Sequence, residues 1–222
     1  MSEQRCVVAV DGPSGSGKST VSRRLAVALG ARYLDTGAMY RAVTWAVLRD
    51  GIDPADADAV TKVADSVLLS VGTDPEAPHI SVDGTPVDGP IRGSEVTAAV
   101  SPVAAVPAVR AKLVAQQREI IVAAGRIVVE GRDIGTVVAP DADLKVYLTA
   151  SEAERGRRRS AETATDLAAT VADLARRDKF DSSRKADPLR QADDAVVLDS
   201  TDMGIDEVVA YLTTLVDGAT RR

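Results

Sequence analysis

The sequence predicts an α/β fold, a doubly wound parallel sheet with a small inserted antiparallel lobe and a helical lid. Three observations carry this. Short apolar, β-branched runs recur at 5–10, 32–34, 127–130, 144–148 and 195–199. Helical patterns separate them, and that alternation implies parallel strands with helices on both faces. One stretch, from Val67 to Arg92, breaks the alternation and takes up a two-residue period.

The elements follow in order. Cys6-Val7-Val8-Ala9-Val10 is an unbroken apolar run, as a strand buried on both faces requires. After it, Val21, Leu25, Ala28 and Leu29 fall at helical spacing with Arg23 and Arg24 opposite, so a helix is expected over 18–29. Further helices are expected at 38–50, 54–66, 108–124, 151–160, 165–178 and 204–217. In the irregular stretch, Val67–Val71, His79–Val82 and Thr85–Val87 read as strands, with Asp83-Gly84 as a hairpin turn. Pro75, Pro78, Pro86 and Pro90 keep these strands short and away from a sheet centre, and 71–79 and 88–94 read as loops. A chain of 222 residues suffices for one such core with an insertion and is short for two domains. A single domain over 1–222 is therefore expected, with the lobe near 67–105 and the lid near 150–185.

Composition narrows the setting. Apolar residues make up 45% but aromatic ones only 3%, so the core must be aliphatic. The single cysteine, Cys6, has no internal disulfide partner and reads as a small apolar filler. No apolar run approaches the ~18 residues of a membrane span, and Met1–Arg5 leads straight into the first strand, so a cytoplasmic protein without a membrane partner is expected. The net charge of −6 opposes general nucleic-acid binding. Positive charge gathers at Arg155–Arg159 and between Arg176 and Arg190, either as phosphate clamps or as solvated helix faces paired with Glu152, Glu154 and Glu162. His79 has no second histidine or cysteine beside it and gives no metal signal.

The chemistry lies first in Gly12-Pro13-Ser14-Gly15-Ser16-Gly17-Lys18-Ser19, followed by Thr20, which fits G-x-x-x-x-G-K-[ST] between a strand and a helix. Glycines let successive backbone N–H groups converge on a polyphosphate, and the helix N-terminus adds partial positive charge. Lys18 can bridge the β- and γ-phosphates, and the Ser19 hydroxyl can reach Mg²⁺. The motif implies binding of a nucleoside triphosphate. Asp35-Thr36-Gly37 and Gly131-Arg132-Asp133 also follow strands directly, where ligands of such sheets sit. No Asn-Lys-x-Asp or D-x-x-G motif marks a guanine-nucleotide switch. Self-contained phosphoryl transfer needs its own mobile arginines, and Arg155 and Arg159 stand at i and i+4, on one helix face.

The longer motifs Asp11–Thr20, Asp35–Arg41 and Glu130–Thr136 recur at the spacing of bacterial cytidylate kinases, as do Arg177-Asp178 with Asp181 and Arg184, then Pro188-Leu189. The chain resembles that family from about residue 5 to 217, inserted lobe included. The resemblance implies transfer of a phosphoryl group from ATP, with Mg²⁺, to CMP or dCMP. It implies Lys18, Arg132, Arg155 and Arg159 as the catalytic cations, and Arg41 and Arg132 on the acceptor phosphate. Thr36, Ser101, Arg110, Asp133, Arg177, Asp181 and Arg184 complete the acceptor site it implies, with small nucleotides as the only partners and a monomer as the expected state. Taken alone, the residues leave alternatives open. Asp133 either pairs with an arginine or touches the ligand; Ser101-Pro102 also reads as a turn or helix start; Tyr40 reads as core. A kinase for another small acceptor, or an ATP-binding regulatory module, would share the glycine loop. Two positions depart from the family pattern: Arg176 replaces a frequent Glu, and Asp187 a frequent Ser before Pro-Leu.

Overall fold

The computed structural model describes residues 5–163 and 165–219, so the start of the chain at 1–4 lies outside the described residues. Five parallel strands form the central sheet: β1 (Cys6–Asp11), β2 (Arg32–Asp35), and later β6 (Arg126–Glu130), β7 (Leu144–Thr149) and β8 (Val196–Asp199). Their spatial order is β2-β6-β1-β7-β8, with β1 at the centre. Side chains alternate across the pleat, so each strand feeds two cores. Val7 and Ala9 join Leu34, Ile127 and Val129 on one face, and Cys6, Val8 and Val10 join Val128, Val146 and Leu148 on the other. Cys6 is buried in the second core, as an apolar filler.

The second face is covered by α1 (Lys18–Ala28), through Val21 and Leu25, and by α8 (Ile205–Ala219), through Val208, Leu212 and Val216. The first face takes α2 (Thr36–Arg49), α3 (Ala57–Ser66), α4 (Ser94–Ala105) and α5 (Pro107–Ala124). Local signals set their ends. Asp35 and Asp56 cap α2 and α3 through hydrogen bonds from Ala38 N and Ala59 N. Pro107 opens α5, and Gly125 at φ 67° closes it. Two further helices, α6 (Glu152–Thr163) and α7 (Leu167–Ser183), pack together above the carboxyl end of the sheet.

The insertion is a three-stranded antiparallel sheet, β3 (Leu69–Val71), β4 (Ile80–Val82) and β5 (Thr85–Pro86). Asp83 and Gly84 both have positive φ, 50° and 79°, as the expected tight hairpin turn demands. Pro86 sits on the edge strand, where its missing N–H is harmless.

Four local features differ from expectation. The structure adds α4, in which Ser101-Pro102 lies inside the helix instead of starting one. Proline removes one backbone bond there, but Val96, Val100 and Val103 bury against the core and outweigh the loss. Segment 88–94 contains a 3₁₀ turn at Pro90–Arg92, and Ile134–Val138 forms one turn of π-helix. Finally, α7 runs five residues beyond 178 and so carries Asp181 on the helix.

Candidate active site

The carboxyl ends of β1, β2 and β6 lie side by side, with Asp35 in register with Glu130. Above them opens a cleft of about 980 Å³ that runs from the glycine loop to α4 and α5. Ser14 to Thr20 line one end. Thr36, Arg41, Ser101, Arg110, Arg132, Asp133, Arg159, Arg177, Asp181 and Arg184 line the rest.

The loop takes its shape from its glycines. Gly12 has φ 148°, and a Cβ there would stand 2.0 Å from the Leu148 carbonyl oxygen, so only glycine lets the loop leave β1 so close to β7. Gly17, at φ 85°, turns the chain into α1. Lys18 folds back over the loop, donating to Pro13 O at 2.7 Å and Ser16 Oγ at 3.3 Å. Burial, and then the charge of Arg132, lower its pKa to about 7. Such a lysine is held ready for anionic charge. Gly12 and Pro13 themselves do not line the cleft.

Ser14 is held on three atoms. Its N–H donates to Asp178 at 3.0 Å, its carbonyl accepts from Arg155 Nη1 at 2.9 Å, and its hydroxyl accepts from Arg132 at 2.7 Å. The first two contacts correct the expectation for Arg155. It does not line the cleft but lies buried beneath the loop, paired with Asp178, because its place on α6 turns it toward α7. Arg159, one turn on, does reach the cleft, where Arg159 Nη1 also contacts Glu162 at 3.1 Å. Arg158 ties the loop to the other side, donating to the Ser200 carbonyl at 2.7 Å. Of the neighbouring arginines, Arg157 is paired with Glu154 and Arg176 with Asp173.

In the middle of the cleft the guanidiniums crowd. Arg41 donates only to neutral oxygens, Ile91 O at 3.1 Å and Thr97 Oγ1 at 2.9 Å. Burial, with Arg177 and Arg159 adding repulsion, lowers its pKa to about 9. Burial lowers Arg177 too, with Arg132 close by, and its buried Nε has no hydrogen-bond partner. Arg132 bridges the two ends, donating to Ser14 and, at 3.0 Å, to Asp181. An excess of desolvated positive charge facing an open cleft fits a polyanion.

Toward α4 and α5 the charges balance. Arg110 pairs with Asp133 and with Asp187, the latter at 2.7 Å, and lies 5.5 Å over the Tyr40 ring. Arg184 Nη2 stands 3.6 Å from Asp133, and Arg184 Nε donates to the Asp187 carbonyl at 2.6 Å. Asp133 thus orients two arginines, one of the two roles open to it in the sequence. Tyr40 is buried, yet it also borders the cleft. Thr36 donates to the Glu130 carbonyl at 2.7 Å and is fixed at the strand end.

Sequence reasoning gave no role to two residues, Glu130 and Asp11. Glu130 Oε1 accepts from Ser19 at 2.7 Å and from Tyr33 at 2.8 Å, while its buried Oε2 has no partner. Burial first, then Asp35, raises its pKa to about 7. Asp11 accepts from Ile134 N and Gly135 N, both at 2.8 Å, and anchors the π-helical turn after Asp133. The available signal was an acidic residue ending an otherwise apolar buried strand, at Asp11 and again at Glu130.

Comparisons with known proteins identify the family. A family model described as cytidylate kinase matches residues 8–218. A cytidylate kinase of Rhodococcus opacus (strain B4) is 55% identical over 221 residues, 97% of this chain and 96% of its own length. One of Mycobacterium avium (strain 104) is 56% identical over 215 residues, 95% of this chain and 94% of its own length. The crystal structure of a gluconokinase from Sinorhizobium meliloti 1021 has a TM-score of 0.51 at 17% identity, covering 99% of this chain and 98% of that one, a likeness of fold alone. Among the described residues no single helix is long and apolar enough to cross a membrane. With the family model matched over nearly the whole length, and relatives above half identity carrying the same description, the chain belongs to the cytidylate kinase family.

Proposed function

We propose that this protein transfers the γ-phosphoryl group of ATP to the phosphate of CMP or dCMP, giving ADP and CDP or dCDP. One observation carries the reading: Arg41, Arg132, Arg159 and Arg177 converge on the middle of a cleft whose one end is a phosphate loop and whose other end is charge-balanced. That pattern suits two phosphate chains meeting between a donor and a neutral base. The attacking oxygen belongs to an ionised phosphate, so no general base is required; the protein's work is alignment, charge neutralisation and exclusion of water. Lys18 and the loop N–H groups hold the donor phosphates. Arg132 spans loop and acceptor side and follows charge from one to the other as the bond changes hands.

Magnesium fits the residues present. Ser19 Oγ lies beside a buried carboxylate, Glu130, with one oxygen left unpartnered, and a hard cation takes oxygen donors of this kind while sharing substrate phosphates. Ser19 and Glu130 would hold it, directly or through water, and it would supply charge neutralisation on the β- and γ-phosphates. At the base end, Arg110 can donate to cytosine O2 and N3, and Ser101 can accept from N4; uracil reverses the pattern at N3 and O4 and leaves polar groups unpaired. The inserted lobe would close over the acceptor and α6–α7 over the donor.

The test is coupled ADP release at fixed ATP·Mg²⁺ with CMP, dCMP, UMP, AMP or no acceptor. Strong turnover with the two cytidine nucleotides alone supports the reading. Equal turnover with UMP moves base reading away from Ser101 and Arg110, and release independent of acceptor overturns the transfer.

A further inference from the structure

We propose that Asp187 is a positioning residue for the acceptor base, holding the Arg110 and Arg184 guanidiniums in the arrangement that faces cytosine and keeping that end of the cleft uncharged. The proposal rests on the reading above that the Arg110 end receives the base.

Asp187 lies in the turn after α7 and does not itself line the cleft. It nevertheless touches both base-end arginines. Its carboxylate accepts from Arg110 Nε at 2.7 Å, and its backbone carbonyl accepts from Arg184 Nε at 2.6 Å. Its φ is 47°, and among the described residues only Asp83, in the hairpin turn, shares a positive φ without being glycine. A non-glycine residue in that region is strained, and such strain persists where surrounding contacts impose it.

The contacts fix Arg110 almost completely. Asp187 holds Nε, Asp133 holds Nη2, and the guanidinium lies over the Tyr40 ring. Nη1 meets only the Ala104 carbonyl, at 3.5 Å, and is the edge left for a ligand. Charge points the same way. Against Arg110 and Arg184 stand Asp133 and Asp187, so the base end is neutral, while Arg41, Arg132, Arg159 and Arg177 stand at the phosphate end. Without Asp187 the base end would carry a net positive charge and compete for phosphate.

Two substitutions separate carboxylate from backbone. Asp187→Gly accepts the positive φ and removes the carboxylate; Asp187→Asn tolerates the same φ and keeps an acceptor oxygen without charge. In Asp187→Gly we expect KM for CMP to rise about tenfold, the loss of one charge-assisted hydrogen bond, with kcat and KM for ATP within about twofold. Inorganic phosphate should become a stronger competitor of CMP in both variants, while Asp187→Asn keeps a KM for CMP near that of the parent. Arg110→Lys is the reference, and adding Asp187→Gly to it should raise KM little further, since the two act through one contact. If Arg110→Lys raises KM for CMP and Asp187→Gly does not, the base end stands and the positioning role falls. If neither does, the base-end reading falls and takes this proposal with it. A joint loss of kcat, ATP affinity and thermal stability in Asp187→Gly would mark a merely structural residue and overturn it as well.

Discussion

Replacing Glu130 by glutamine should make the empty enzyme relatively more stable at alkaline pH while impairing it as a catalyst. The side chain is buried, with Oε1 accepting from Ser19 and Tyr33 and Oε2 partnerless. Glutamine keeps the accepting oxygen and puts an amide nitrogen where Oε2 stood, at a cost of about 1–3 kcal/mol for an unsatisfied donor. Against this stands the cost of the buried charge. A carboxyl raised from 4.5 to about 7 by burial and by Asp35 takes about 3 kcal/mol to ionise above neutrality. The sign follows from linkage: with the folded pKa raised, the native state holds its proton longer than the unfolded chain. Wild-type stability from this group is full below pH 4.5 and is lost as pH rises through about 7. Glutamine does not titrate, so the amide cost is common to all pH values and cancels in the difference between two of them. The variant should therefore gain about 2 kcal/mol on wild type between about pH 5 and about pH 8.5. Urea unfolding of the empty protein, followed by fluorescence of the single tryptophan, Trp45, reads it directly. The same assay with Mg²⁺·ATP should show a smaller ligand stabilisation in the variant, and turnover should fall about 10–100-fold, as loss of a metal-orienting group does. An unchanged stability difference at the two pH values would refute the reasoning, because Glu130 would then be ionised without penalty.

Other outcomes follow from the same geometry. Lys18, lowered to about 7 in the empty loop, should regain its ordinary basicity against a polyphosphate, so ATP binding at about pH 8 should take up as much as about one proton; titration calorimetry in buffers of different ionisation enthalpy measures it, and Lys18→Met should abolish it. Gly12→Ala, which must relieve a 2.0 Å approach to the Leu148 carbonyl from φ 148°, should cost about 3 kcal/mol or more of stability and most ATP binding, seen by thermal unfolding with and without nucleotide. Asp181→Ala frees the Arg132 guanidinium it holds at 3.0 Å, and KM for CMP should rise about tenfold in steady-state assays.

Much of the architecture was legible because it is written in local periods. Five apolar runs became five parallel strands, and Asp83-Gly84 formed the tight turn its two residues call for. The misses have a common cause: tertiary burial overrode a local signal. Pro102 reads as a helix boundary, yet Val96, Val100 and Val103 carry α4 through it. Arg155 and Arg159 do share a helix spacing, but one end of that stripe is covered by α7 and only the other faces the cleft. Glu130 opens the Glu130–Thr136 motif, but the motif does not state its role; that arises from Ser19 and Tyr33, 111 and 97 residues away. Spacing places residues on an element but says nothing about which partner from the far end of the chain arrives beside them.

Ser14 gives the molecule a property that neither the phosphate loop nor the α6–α7 pair has alone. Its three polar atoms are engaged by Asp178, Arg155 and Arg132, so the conformation of the phosphate loop is tied to the positions of α6 and α7. Reciprocity then holds: whatever free energy a ligand in the loop contributes to holding α6 and α7 in place, the held helices return to that ligand as affinity. On the transfer proposed above, a nucleotide entering the loop would thereby bear on how α6 and α7 enclose the cleft.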